Sequence, residues 1–533
     1  MCDRPASPDP AFGFLSQPNR RQFLQRGAMA AVATRWPLAG QDAGAASSVV
    51  RTGLGQLQGE VLASGVRVFR GVPFAEPPVG ALRFRPPVAK RAWTGVRSAR
   101  TFAPAAMQEG DNGVPQSEDC LYLNLWTPPE MAGAPWPVFA WIHGGGFTGG
   151  NSFSPIFDGE EFARAGIVLV TVAYRLGVFG FMDLSPLLGN SYAGSGNNAM
   201  RDLVESLRWV RSNIAAFGGD AQRVTVGGES AGAKATAALM GLPEAKDLFH
   251  SAISESGGGE RVLTLAAAAE VAGNYGDLWL KAHPGASPES GGPVGFGALK
   301  TAPAEALIDV QRTLLQVTQR HFPFRSEVDG QYLKGRPVDL VAQGSARGKR
   351  LLIGTNRDES ALFLGAHPEK DPTAKDLGNL TVAAFDPVLQ KYAAVYPEMP
   401  AEQRRIRATT AEEYWVPSVR LADAHVKAGG TAWMYELDFA RDTGRYAGEA
   451  YHSEDLAFVW DRQNEVGPSG STLAREMHAA WVAFVRGDAP AAAGLPAWPE
   501  YNARTRPTMM LDQTSRVEMH PQEAELRLWD GVL

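Results

Sequence analysis

Two stretches, PVFAWI within PVFAWIHGGGF (137–147) and GIVLVTVAYR (166–175), are apolar with no alternation. A strand with one wet face alternates, whereas a strand covered on both faces does not, so both predict central strands of a sheet. RVTVGG (223–228), RLLIGTN (350–356) and AWMYELDF (432–439) read as further strands, and the alternating VRVFRGVPFA (66–75) as strands of an antiparallel edge. Between these the period lengthens. Met200, Leu203, Leu207, Val210 and Ile214 share one face of a predicted helix over NNAMRDLVESLRWVRSNIAAF (197–217). SAGAKATAALM (230–240) predicts a helix of small residues, and STLAREMHAAWVAFVRG (471–487) a late amphipathic one. Strands alternating with helices predict an α/β fold: a mostly parallel central sheet, helices on both faces and long insertions. HPGASPESGGPVGFG (283–297) is the most loop-like internal segment and reads as a surface excursion.

The 533 residues carry 51 Lys and Arg against 57 Asp and Glu, a net charge of -6. This disfavours nucleic acid as a partner, since phosphate binding needs a basic patch. No run approaches the roughly 18 consecutive apolar residues of an integral membrane span. Of the two cysteines, Cys2 and Cys120, neither supplies a disulfide framework or a metal site. Cys120 reads as a small buried hydrophobe. Near the N-terminus, NRRQFLQRGAMAAVAT sets Arg20 and Arg21 before Phe23, Leu24 and an alanine-rich stretch. Residues 1–45 therefore read as a twin-arginine export signal and leader, which predicts a periplasmic or secreted product, and residues 46–533 as one domain.

The chemistry begins at VTVGGESAGAKATAALM (224–240), which holds G-x-S-x-G at Gly228, Glu229, Ser230, Ala231 and Gly232. A serine on a sharp strand-to-helix turn needs very small neighbours two residues away on each side. The alternative is a serine that caps the following helix. WIHGGGF (141–147) follows a predicted buried strand, and its three glycines let backbone N–H groups face a developing oxyanion. No G-K-[ST] follows it, which argues against a phosphate loop. His143 reads as a brace for this turn. An acid is expected after a later strand, and RLLIGTN leads into Asp358 and Glu359, between which the residues alone do not choose. Five of the nine histidines follow Glu359: His425 and His478 fall in amphipathic helices, His367 precedes a proline, and His520 is in the tail. His452, in AYHSEDLAFVWD, sits on a loop after a strand and is the candidate base.

FRGVPFAEPPVGALRFRPP (69–87), EDCLYLNLWTP (118–128), WIHGGGF, NIAAFGGD (213–220), GGESAGA and GTNRDES occur in this order. Together they resemble the type-B carboxylesterase and lipase family, the cholinesterase-like α/β-hydrolases. The resemblance runs from about residue 48 to the C-terminus. It implies a catalytic triad of Ser230, Glu359 and His452, and so selects Glu359 over Asp358. It implies oxyanion donors from the backbone of Gly145, Gly146 and Ala231, buried pairs Arg83–Glu118 and Arg175–Asp202, and supporting roles for Ser256 and Glu229. Departures from the family pattern are also visible. Ala106 stands where many members bridge a cysteine to the one matching Cys120. The short segment to Cys120 has no tryptophan, so a quaternary-ammonium substrate is not supported. Ser453 stands where many members have glycine.

The expected activity is hydrolysis of a small-molecule carboxylic ester through an acyl-enzyme, with no cofactor and no metal. Three other readings remain. One is a carbamate, amide or thioester hydrolase with the same triad. Another is a catalytically silent binding member, which would be expected to have lost a triad residue. The last is a lipase, for which no strongly apolar exposed helix is visible. Phe147, Trp415, Tyr451 and Phe458 are candidate pocket walls. The oligomeric state is left open.

Overall fold

The computed structural model describes residues 47–110, 113–129, 135–284, 295–318, 322–364 and 380–533. The export-signal reading of residues 1–45, His367 and most of the 283–297 excursion lie outside the described residues.

Among the described residues, 13 strands pair in one sheet. They are β1 (Ser47–Arg51), β2 (Gln56–Val61), β3 (Arg67–Pro73), β4 (Val96–Ser98), β5 (Tyr122–Thr127), β6 (Trp136–Ile142), β7 (Val168–Val172), β8 (Gly219–Glu229), β9 (Ser251–Glu255), β10 (Arg350–Asn356), β11 (Thr431–Leu437), β12 (Thr508–Leu511) and β13 (Arg516–Glu518). The order is β1-β2-β3-β5-β7-β6-β8-β9-β10-β11-β12-β13, with β4 beside β2. From β7 through β12 every neighbouring pair is parallel. The β1–β2–β3–β5–β7 side is antiparallel, as is the final β12–β13 pair.

Alternate residues of the central strands enter two different apolar clusters, one on each face. Val138, Ala140 and Ile142 of β6 join one cluster while Phe139 and Trp141 join the other; Leu351 and Ile353 of β10 oppose Leu352 in the same way. This two-sided burial explains why the apolar runs do not alternate. The helices that matter here are α1 (Asn198–Asn213), α2 (Ala231–Gly241), α3 (Ala401–Thr410), α4 (Val416–Lys427), α5 (Asp455–Val459) and α6 (Gln463–Arg486). A π-helical turn, Ala411–Trp415, joins α3 to α4. The expected mostly parallel sheet with helices on both faces is what forms.

The short strands at one end of the sheet carry too little pattern to be seen in advance. β13 is three residues, none buried, and the buried TMML of β12 has no strong strand signature. The late amphipathic helix begins just after a break in the helical dihedrals at Gly467, and a short helical turn from Gln463 precedes the break.

Two ion pairs brace the loops around the sheet. Arg175 grips Asp202 of α1 with two bonds, Nε to Oδ2 at 2.8 Å and Nη2 to Oδ1 at 2.6 Å, and its Nη1 donates to the carbonyl of Arg85 at 2.7 Å. The side chains are 3% and 0% exposed. Arg83 holds Glu118 in the same fork and also donates to the carbonyls of Leu299 and Ala302. Cys120 is a buried free thiol in the main cluster. Removing one partner of a fully buried pair strands the other, so Asp202→Ala is expected to cost about 3–5 kcal/mol of unfolding free energy. Urea denaturation checks this; a loss below about 1 kcal/mol would mean that Arg175 finds water or another acceptor.

Candidate active site

β8 ends at Glu229 and α2 begins at Ala231, so Ser230 alone makes the turn, at φ 56° and ψ -118°. Such a conformation costs a non-glycine residue about 1–3 kcal/mol and persists only where the surroundings enforce it. Here the Ser230 N–H donates to the Glu255 carbonyl at 2.9 Å, and the Ser230 carbonyl accepts the Lys234 N–H at 3.0 Å. The small neighbours are needed. A Cβ on Gly232 would run into the Ile142 carbonyl oxygen, and one on Gly228 into the same oxygen and the backbone of Gly232. Ser230 stands at the N-cap position of α2 but makes no side-chain capping bond. Its Oγ instead lies 2.9 Å from Nε2 of His452.

His452 sits on the loop between β11 and α5, 2% exposed. Its Nδ1 is 2.5 Å from Oε2 of Glu359, just beyond β10. The other carboxylate oxygen, Oε1, accepts the N–H of Asn356 at 2.8 Å. Asp358 points elsewhere: it pairs with Arg357 at 2.8 Å and accepts the Ala450 N–H at 3.1 Å. Glu359, and not Asp358, thus meets the imidazole. Burial drives His452 down to about 4, so the ring is neutral at neutral pH and Nε2 can accept a proton. Burial also raises the Glu359 carboxyl, and Ser256, the Asn356 N–H and the charge of Lys234 oppose it by favouring the carboxylate.

The supporting residues gather beneath this row. Glu229 lies 3.2 Å from His452 Nε2 through Oε1, which also accepts the Ser453 hydroxyl at 2.6 Å; burial raises its carboxyl to about 7. Ser453 has φ 67°, the region a glycine would favour, and its hydroxyl gains a carboxylate partner there. Ser256, with φ 57°, is fully buried. Its hydroxyl makes no hydrogen bond of normal geometry among the described residues, yet it eases the charge on Glu359.

In the glycine loop, Gly145 has φ 110° and Gly146 φ 62°. The Gly145 carbonyl accepts the N–H groups of Thr148 and Gly149 at 3.1 and 3.0 Å. The N–H groups of Gly145 and Gly146 donate to no backbone acceptor among the described residues. Ala231 opens α2, so its N–H is one of the helix's four unpaired donors. His143 braces the loop: its Nδ1 is 2.8 Å from the Gly144 carbonyl, its ring stacks on Tyr174 at 4.5 Å, and its own carbonyl accepts the Tyr174 hydroxyl. His425 and His478 are spent on backbone carbonyls, those of Lys349 and Val459.

The aromatic residues considered for the pocket walls pack as follows. Phe147 packs on Phe181, Phe458 on Phe439 and Tyr451 on Tyr446, and all three, with Trp415, are buried in apolar clusters. The rings that flank His452 are Phe363 and Tyr414, at 5.1 and 4.8 Å, and Phe322 stands over Gly146. No motif marks these positions, because they come from an insertion, a post-strand helix and the π turn. Among the described residues, no group of three or more His, Cys, Asp or Glu side chains could hold a metal, and no helix is long and apolar enough to cross a membrane.

A serine bonded to a neutral imidazole that is itself bonded to a carboxylate should react with a fluorophosphonate probe. Intact-mass and peptide mapping should find one label, on Ser230. A label on Ser254 or Ser256, or none, would overturn this reading of the site.

Comparison with known proteins matches residues 46–529 to the carboxylesterase family. The chain is 33% identical over 495 residues to the para-nitrobenzyl esterase of Bacillus subtilis, covering 89% of this chain and 96% of that protein. It is 33% identical over 465 residues to the fumonisin B1 esterase of Sphingopyxis macrogoltabida, covering 82% of each. The solved structure of a Geobacillus stearothermophilus carboxylesterase superposes with a TM-score of 0.78 at 35% identity, covering 90% of this chain and 99% of that one. With a match this long and an activated serine at the strand-to-helix turn, the chain belongs to the carboxylesterase family and is a serine esterase of the α/β-hydrolase fold.

Proposed function

We propose that Ser230, His452 and Glu359 are the triad of this esterase and that Gly145, Gly146 and Ala231 supply its oxyanion donors. The observation that carries the proposal is the unbroken contact from Glu359 through His452 to Ser230, at 2.5 and 2.9 Å. His452 Nε2 takes the Ser230 proton as Oγ bonds to the ester carbonyl carbon. Glu359 holds the ring with Nδ1–H toward it and stabilises the imidazolium that forms. The carbonyl oxygen becomes an oxyanion facing the three N–H groups; losing one such donor typically costs about 10²–10³ in turnover. The C–O bond to the alcohol then breaks, and the leaving oxygen takes the proton from Nε2. Water attacks the acyl-enzyme with its proton passing to Nε2, and the acid leaves as Ser230 regains its proton.

Two supporting proposals concern the rest of the chain. Residues 46–533 form one unit, which the single sheet running from Ser47 to Glu518 supports. Arg20 and Arg21 direct twin-arginine export, for which the support is the sequence pattern alone.

Hydrolysis of p-nitrophenyl butyrate tests the triad. Ser230→Ala should abolish turnover with circular dichroism unchanged. Glu359→Gln should lower kcat by about 10³–10⁴, as expected when the orienting charge of a triad is removed. Asp358→Asn should cost far less, and the reverse ranking would reassign the acid. For export, changing Arg20 and Arg21 together to lysine should retain the protein in the cytoplasm on cell fractionation; unchanged fractionation would refute the leader.

A further inference from the structure

Ser453 directly follows the base and has φ 67°, a conformation that glycine adopts freely and serine only at a cost. Its carbonyl accepts the Leu456 N–H at 3.3 Å in the turn that opens α5. For that turn alone, glycine would serve better. The side chain has a use of its own: fully buried, its hydroxyl donates to Oε1 of Glu229 at 2.6 Å. Backbone strain kept for the sake of one polar contact points from the outlier to a role in the reaction.

The oxygen it holds is shared with the base. Glu229 Oε1 lies 3.2 Å from Nε2 of His452, the nitrogen that also faces Ser230 Oγ at 2.9 Å. The carboxyl is confined at its other end as well: a Cβ on Gly144 would stand 2.6 Å from Oε2, so the glycine loop closes against it. What Oε1 does to Nε2 depends on its proton. Ionised, it can only accept, and it steadies the imidazolium that forms when Nε2 takes the Ser230 proton. Protonated, Oε1 donates to Nε2 and occupies the lone pair that Ser230 needs. Burial favours the protonated form, and so do the like charges of Asp455 and Glu359, while His452 and the Ser453 hydroxyl oppose it; the carboxyl stands at about 7. Glu255, Tyr174 and Tyr414 also feel its charge. Ser453 donates to the same oxygen that would carry the proton toward Nε2.

We propose that Ser453 is a positioning residue that keeps Glu229 ionised and turned toward itself, so that Nε2 of His452 stays open to Ser230. This rests on the triad reading of Ser230, His452 and Glu359. Ser453 acts on the base through Glu229 and not on the substrate.

The test is the pH profile of kcat/KM for p-nitrophenyl butyrate, which reports groups of the free enzyme, in the wild type, Ser453→Gly and Ser453→Ala. The base works only where both Glu229 and His452 have lost their protons. The wild-type acid limb should therefore fall near pH 7, the value of Glu229, and not near 4, that of His452. Both variants lose a donor that favours the carboxylate, so the limb should move up by about one pH unit, the effect of one hydrogen bond to a charged group. On that shift kcat/KM falls about tenfold at pH 6 and returns to within about twofold of wild type at pH 9. Ser453→Gly also relieves the backbone, so it should melt no lower than Ser453→Ala. Equal shifts in the two variants identify the hydroxyl as the cause. A limb unmoved in Ser453→Gly, or moved in Ser453→Ala alone, makes Ser453 purely structural and overturns the proposal. So does an equal loss at every pH, or a wild-type limb near 4. A wild type inert to both p-nitrophenyl butyrate and a fluorophosphonate would overturn the esterase reading itself, and this proposal with it.

Discussion

The site depends on how closely two pieces of backbone approach. Where β8 turns into α2, Gly228 and Gly232 lie against the Ile142 carbonyl at the end of β6, too near for any side chain. That contact holds the first turn of α2 against the sheet and leaves Ser230 in a conformation it would not choose. The same carbonyl end of β6 leads into the glycine loop, whose Gly144 lies against Ser230, so the constraint also adjoins the loop proposed to supply oxyanion donors. A single steric constraint therefore sets the serine and the groups that would receive the charge it creates.

Around that constraint the protein buries an unusual amount of charge. Glu229, Glu255, Glu359, Asp455 and His452 are each 4% exposed or less, and burial moves every one of them toward its neutral form. Hydrogen bonds divide this load. Asn356 is central: its N–H holds Glu359, and its side-chain amide reaches the Tyr451 carbonyl and Asp455. Trp481 donates to Glu255, and Tyr435 to Asp455. Such a network fixes geometry more than it adds stability, because a half-satisfied member would cost more than an apolar replacement.

Much of this was legible in the chain because it is written in local patterns. Unbroken apolar runs marked the strands buried on both faces, and G-x-S-x-G with a three-glycine loop marked the two ends that need small residues. His452 was reached by elimination. Choosing between Asp358 and Glu359 needed either the family resemblance or the fold, since adjacent residues on a loop differ only in where they point. The rings beside His452 and Gly146 were out of reach for a related reason: Phe322, Phe363 and Tyr414 arrive from segments with no motif.

The parallel order of the sheet has a consequence for synthesis. Ser230 and His452 are 222 residues apart, and Glu359 and His452 are 93 apart. β11, whose end carries the loop with His452, pairs with β10 and is among the last strands made. With the triad proposed above, a ribosome-bound chain that has completed α2 holds a serine with no base to activate it. The unfinished protein is chemically inert toward the esters of the cell, and hydrolytic power appears only when nearly the whole sheet has closed.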